Sequence, residues 1–309
     1  MHHGSVRHLV CSVAIALSAC GAPPAPSAPG TAAATSKTLD QLRHESRAVA
    51  PLVHTDVARA FVSAASTLPH EADDEAYYET NYGSPLAYAR AIDVLGDAGL
   101  ALEPGARILD FGYGGIGQLR MLAGVGFAAA GVDVDPSLRA LYAKPGDQGP
   151  FGRGSVSLFS GAYPTDPAVR AAVGGDYRVV MSKNVLKRGY IHPDRPADDR
   201  HLIHLGVDDA TFLGAVHDAL ADGGLFLLYN ICPALSPPDK PFVPWSDGRS
   251  PFTAEQYASA GFEVLAFDRD DAPAIRALGH ALAWDQGTDA MDLQNDLSVL
   301  YTLAKKSHR

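Results

Sequence analysis

The sequence predicts a doubly wound α/β fold on a mostly parallel sheet, with helices on both faces, and two stretches carry that expectation. The first is Arg107-Ile108-Leu109-Asp110-Phe111-Gly112-Tyr113-Gly114-Gly115-Ile116-Gly117. Its apolar part is too short for a helix and ends in an acidic residue and a glycine cluster, the pattern of a buried strand entering a tight turn. The second is Ala128-Ala129-Ala130-Gly131-Val132-Asp133-Val134-Asp135-Pro136, again an apolar run ending in carboxylates. Their separation suits two parallel strands joined by one helix, Gln118 to Ala123.

Glycine tolerates positive φ and, lacking a Cβ, lets backbone N–H groups approach a bound molecule. Gly112, Gly114 and Gly117 fit a G-x-G-x-x-G spacing, which a chain with 30 glycines also produces by chance, so the weight lies on the context. In nucleotide-binding α/β folds a carboxylate at the second strand end accepts hydrogen bonds from ribose hydroxyls. Asp133 stands where that role requires. The plainer alternative is that Asp133 ends a strand and the glycines make a turn. Asp135 reads as an N-cap with Pro136 at the first helical position.

Ile108 to Gly114 resembles the first motif of the class I S-adenosylmethionine-dependent methyltransferases, and Gly131 to Ser137 resembles their ribose-binding strand end. The resemblance spans roughly Gly105 to Lys305. It implies a Rossmann-like seven-stranded sheet with the last strand antiparallel, within a domain of residues 105–309. It also implies S-adenosylmethionine as cofactor, held by Asp110, Gly112, Gly114, Gly117, Asp133 and Asn184, and a small-molecule methyl acceptor. One departure is that the family's third glycine, two residues after the second, is Ile116 here, with Gly117 one place later. Another is Ser160-Gly161-Ala162-Tyr163 where an acidic residue often contacts the adenine.

A chain of 309 residues that is 47% hydrophobic can bury a full core, and one large domain suffices. The net charge of −10 and the lack of a basic cluster argue against nucleic acid as substrate. So does the absence of an Asn-Pro-Pro-aromatic motif after the fourth strand.

At the N-terminus, basic residues precede the apolar run Leu9 to Leu17, and Leu17-Ser18-Ala19-Cys20 follows. That order resembles a bacterial lipoprotein signal over residues 1–20, with Cys20 lipidated and the protein anchored in the cell envelope. If the segment is not a signal, the expectation is cytoplasmic. The run is too short for a permanent bilayer span. Residues 21–37, rich in Ala, Pro and Ser, read as a tether. Cys232 is then the one cysteine left inside the domain, so no disulfide framework is expected.

Residues 38–104 read as a helical flank or lid, with Thr55 and Ser84 as N-caps and Pro85 starting a helix. The methyltransferase resemblance implies that the cluster Tyr77 to Gly83 closes over the cofactor, through Tyr82 above all; the plainer alternative is ordinary aromatic packing. Ala143 to Arg153 reads as a loop, Val156 to Phe159 as the third strand, and Asp166-Pro167 as a helix start stopped by Gly174-Gly175. The fourth strand is Tyr177 to Ser182 and the fifth Leu225 to Asn230, entered by an Asp222-Gly223-Gly224 turn after a helix capped by Asp208. Thr253 and Gln256 form a capping box. Phe262 to Phe267 and Leu297 to Leu303 complete the strands.

Loops at the carboxyl ends of parallel strands line the ligand crevice. Tyr190, His192, Tyr229 and Asn230 are therefore substrate-binding candidates, with Tyr190 and His192 also candidate catalytic groups. The five-proline segment Ile231 to Phe252, carrying Trp245, reads as a substrate lid. His192, His201 and His204 lack the convergence a metal needs, so none is expected. Methyl transfer requires alignment more than side-chain chemistry, and no catalytic signature is visible. Two rivals share the glycines and Asp133. One is a protein of this fold that binds ligand without transfer. The other is an NAD-dependent oxidoreductase, whose Tyr-x-x-x-Lys helix is matched by Tyr301 to Lys305 alone, in an expected strand.

Overall fold

The computed structural model describes residues 39–70, 74–79, 83–287 and 290–307. The signal, Cys20, the tether and Tyr82 lie outside them.

Among the described residues three α-helices come first, α1 (Leu39–Val49), α2 (Asp56–Ala64) and α3 (Ala89–Asp97), with a 3-10 turn Pro85–Tyr88 before the third. Thr55 and Ser84 cap as their side chains predict, accepting from the N–H groups of Ala58 and Leu86. Then come β1 (Arg107–Phe111), α4 (Gly117–Gly124), β2 (Ala128–Asp133), α5 (Pro136–Leu141), β3 (Gly149–Phe151), β4 (Gly154–Ser160), α6 (Pro167–Val173) and β5 (Tyr177–Lys183). The rest is α7 (Arg188–Ile191), α8 (Asp209–Ala219), β6 (Leu220–Pro233), α9 (Ala254–Ser259), β7 (Phe262–Asp270), α10 (Ala272–Ala281) and β8 (Leu297–Lys306).

Among the described residues the sheet has eight strands in the order β3-β4-β2-β1-β5-β6-β8-β7. From β4 to β6 the pairings are parallel, while β8 runs antiparallel to both neighbours. The expected seven strands therefore become eight. The added one, β3, folds back antiparallel on β4 within the expected loop. Gly149, Pro150 and Gly152 obscure it, since glycine and proline read as loop until a partner strand supplies hydrogen bonds.

A second correction concerns β6, which runs unbroken from Leu220 through the expected Gly-Gly turn and on to Pro233. The turn survives as a bulge: while β5 advances from Tyr177 to Val179, β6 advances from Leu220 to Leu225.

Alternation along the strands sorts two cores. Ile108, Val179, Met181, Leu225 and Leu227 face a layer that includes α1 to α4 and α10. Leu109, Val180, Phe226 and Leu228 face α6, α8 and α9. On the first face the chain order reverses between β1 and β5, which puts a crevice at their carboxyl ends.

Candidate functional site

The glycine turn leaves β1 with Gly112 at φ 74° and Gly114 at φ 60°, values that side-chain-bearing residues rarely adopt. The acidic end of β2 reaches it directly. Asp133 Oδ2 accepts from Gly114 N at 3.3 Å, and Oδ1 accepts from Asp135 N at 2.9 Å. A carboxylate offers about four acceptor positions, so about half remain for hydroxyl donors such as those of a ribose. Burial raises the Asp133 pKa, opposed by the Asp135 and Gly114 N–H groups. Asp135 caps α5 through Ser137 N at 2.8 Å.

Beneath the turn, Asp110 is fully buried and its carboxylate accepts from Gln118 Nε2 at 3.1 Å. Burial pushes its pKa up to about 7, opposed by hydrogen bonds from Gln118 and Tyr88 and by the Lys183 charge. Gln118 also donates to Tyr113 O at 2.7 Å, so the loop is tied to α4. Lys183 ends β5 on the same sheet face as Asp110, with Nζ 5.0 Å over the Tyr88 ring. Its pKa is lowered to about 8 by burial, with Asp110 opposing and the Lys187 charge adding.

The N-terminal helices press on this turn. Tyr77 and Tyr78 are buried, and Arg120 Nη1 donates to Tyr78 Oη at 2.9 Å and Nη2 to Tyr77 Oη at 3.1 Å. Tyr142 Oη donates to Tyr77 O at 3.0 Å, joining the flank to the segment after α5. A Cβ on Gly117 would meet Pro85 at 2.9 Å. One on Gly112 would meet a Val185 methyl at 2.5 Å. At these two positions the missing side chain makes room for the protein's own packing.

The remaining expected residues divide. Asn184, at φ 66°, is in the turn after β5, and its Oδ1 accepts from Ile231 N at 2.7 Å. Tyr229 lies on the Asp110 face, 1% exposed, and its hydroxyl donates to Asp271 at 2.6 Å. Asn230 points to the other face, where Nδ2 donates to Leu186 O at 3.0 Å and Gly248 O at 2.9 Å. Tyr190 is buried with its ring 4.9 Å from Lys187 Nζ. His192 pairs with Asp209 at 2.9 Å on the margin of a cleft of Ile191, Ile203, Leu205 and Val207. His204 lines the same cleft with its ring on Asp199, and His201 packs on the Trp245 ring.

Trp245 is half-buried within a segment that is fastened rather than free-standing. Arg188 N donates to Arg249 O at 2.7 Å and Gly189 N to Asp247 O at 3.2 Å. Arg195 donates to the carbonyls of Ser236, Pro237, Pro238 and Lys240. Tyr301 and Lys305 lie on β8 rather than on a helix.

Sequence reasoning missed Tyr88, Lys183, Lys187 and Asp271. Lys183 had a readable signal, since it follows an apolar strand at its carboxyl end. Tyr88 and Asp271 had none, because their partners are distant in the chain.

No family model matches the sequence, and no curated protein matches it. Among solved structures, the chain overlaps an S-adenosylmethionine-dependent methyltransferase from Mesorhizobium loti at 17% identity, over 71% of this chain and 97% of that one, with a TM-score of 0.40. It overlaps a Haemonchus contortus phosphoethanolamine N-methyltransferase 2 at 16% identity, over 81% and 58%, with a TM-score of 0.44. A cyclopropane synthase from Mycobacterium tuberculosis overlaps at 16% identity, over 70% and 85%, with a TM-score of 0.39. Overlaps this partial leave the nature of the ligand to the site's own chemistry. What the strand order and the two strand ends define is a Rossmann-like α/β protein with a crevice at the β1/β5 switch point.

Proposed function

We propose that this protein is an S-adenosylmethionine-dependent methyltransferase acting on a small molecule. The observation that carries the reading is the contact of Asp133 with Gly114, which brings a ribose-type acceptor and a glycine turn together at the switch point. The motif resemblance of Ile108 to Gly114 and of Gly131 to Ser137 supports the adenosyl donor over other nucleotides. The cofactor, when bound, supplies an activated methyl on a sulfonium with a good leaving group. Asp133 then accepts from the ribose, the turn of Gly112 and Gly114 brings backbone close, and Asp110, Gly117 and Asn184 hold that turn and its neighbour in shape. The chain's task is alignment and exclusion of water. Tyr190, His192 and Trp245 border the acceptor side in this reading, with Tyr229 and Asn230 setting the strand end from which that side is built.

Calorimetry of the full-length protein against S-adenosylmethionine, S-adenosylhomocysteine and NAD tests the reading. Binding of both adenosyl compounds and not NAD is the expected result. NAD binding alone would replace it with an oxidoreductase.

A second reading, ligand binding without methyl transfer, is favoured by the engagement of expected acceptor-side groups within the protein, the Tyr229 hydroxyl on Asp271 and Asn230 Nδ2 on Leu186 and Gly248. Adenosyl binding without turnover on a broad acceptor panel would select it. The lipid anchor at Cys20 belongs to the proposal too. Intact-mass analysis from a native host is expected to show loss of residues 1–19 and added acyl mass, and unmodified protein retaining Met1 would remove the anchor. Among the described residues no helix is long and apolar enough to cross a membrane.

A further inference from the structure

Two lysines lie inside the protein at the carboxyl end of β5. Lys183 is 7% exposed, and Lys187, four residues on, is fully buried. Lys187 Nζ donates to Cys232 Sγ at 3.4 Å and stands 4.9 Å from the Tyr190 ring centre, while Lys183 Nζ stands over Tyr88. None of these contacts is with a carboxylate. The Lys187 charge lowers the Lys183 pKa and Asp110 opposes it, so Asp110 is the carboxyl that acts on Lys183, while Lys187 has none in hydrogen-bond contact among the described residues.

A buried cation without an anion is costly. An ammonium carries three N–H donors, and Lys187 spends one on a thiol, a weak acceptor. A second polar group nearby is incomplete. Asn230 is 1% exposed, and its Oδ1 has no hydrogen-bond partner among the described residues. Its Nδ2 is fixed on Leu186, the residue before Lys187, and on Gly248, whose Cβ position lies 2.8 Å from Cys232 Sγ. The lysine donors thus stand at the carboxyl end of β5, beside the crevice, with Asn230 on the following strand packed against the residue before Lys187.

We infer that Lys183 and Lys187 form the binding point for a carboxylate or phosphate group of a small molecule. The ligand's part as methyl acceptor rests on the reading above. The same chemistry would also suit the amino-acid carboxylate of the adenosyl compound, and the test separates the two.

Calorimetry of the full-length protein with inorganic phosphate and with acetate, at fixed ionic strength, is run on the free protein and on protein saturated with S-adenosylhomocysteine. Wild type is expected to bind at least one anion, Lys183→Met and Lys187→Met to bind it about tenfold or more weakly, and Lys187→Arg to retain it. Anion binding on the saturated protein assigns the site to the acceptor. Anion binding lost on saturation, with weaker S-adenosylhomocysteine binding in the Met variants, assigns it to the adenosyl compound's carboxylate. Lysine 13Cε resonances of the wild type give a second readout independent of variant folding: two buried lysines are expected to shift with phosphate. No anion bound by wild type, unchanged binding in the Met variants, or anion binding with those resonances unmoved overturns the inference. Failure of S-adenosylhomocysteine to bind strikes the methyltransferase reading alone, because the free-protein titration still judges the lysines.

Discussion

Asp133 Oδ2 takes the N–H of Gly114 at 3.3 Å, so the end of β2 holds the turn of β1 from the neighbouring strand. The carboxylate therefore serves the turn's shape and its ligand together. Asp133→Ala is expected to weaken S-adenosylhomocysteine binding by about 1.5–3 kcal/mol, the range for hydrogen bonds to a charged group. The same variant leaves the Gly114 and Asp135 donors without their acceptor and lowers stability by about 1–3 kcal/mol. Calorimetry and thermal melts read the two effects separately. Unchanged affinity would confine Asp133 to holding the turn.

Asp110 sets a dependence on pH. Its folded-state pKa, about 7, lies above the ordinary 3.8, so the folded protein binds the proton more tightly than the unfolded chain. Its contribution is present at acid pH and lost as pH rises between about 4 and 7. Lys183 acts on the other side. Its pKa is lowered from 10.5 to about 8, so its contribution improves as pH rises across that window. Asp110→Asn is expected to flatten the falling stability profile between about pH 4 and 7, by order of a few kcal/mol at most. Chemical denaturation across that range checks it, and a parallel, merely offset profile would contradict it.

Tyr229 belongs to a buried brace. Its hydroxyl and Arg90 converge on Asp271, and Arg90 continues to Asp93, which receives the N–H groups of His54 and Thr55. Tyr229→Phe removes one charge-assisted bond and is expected to cost about 1.5–3 kcal/mol with S-adenosylhomocysteine affinity intact. Arg90→Met leaves two largely buried carboxylates short of their cation and should cost about 3–5 kcal/mol. Urea denaturation measures both. Equal costs would mean the brace does not depend on the ion pair.

Arg195 tests whether the proline-rich segment is a separable cover. Arg195→Ala frees four carbonyls and the Phe242 ring from its guanidinium. The expected outcome is faster hydrogen exchange in residues 236–242 with the melting temperature within a few degrees of wild type, since the zipped part around Asp247 and Arg249 stays in place. Trp245→Ala, which removes the ring beside His201, is expected to impair acceptor turnover while adenosyl binding holds. Early melting with normal turnover by the folded fraction would make Trp245 an anchor.

Local chemistry is what the sequence determined by itself. The strand-to-glycine turn at β1 and the carboxylate ending β2 were legible there. So were the caps Thr55, Asp135, Asp166 and Asp208 and the Thr253–Gln256 capping box, because each depends on residues within a few positions of one another. Only the tertiary structure decided the rest. Strand β3 exists because β4 offers it hydrogen bonds, and the Gly-Gly turn became a bulge because β5 continues beside it. Asn184, Tyr229 and Asn230 stood at strand ends where a ligand role was expected, and only the structure shows that Asn184 Oδ1, the Tyr229 hydroxyl and Asn230 Nδ2 bond Ile231, Asp271, Leu186 and Gly248. Lys183 and Lys187 were not singled out in the chain. They are buried because two strand ends and a returning loop close around them, and such closure depends on long-range packing rather than on the residues' own preferences.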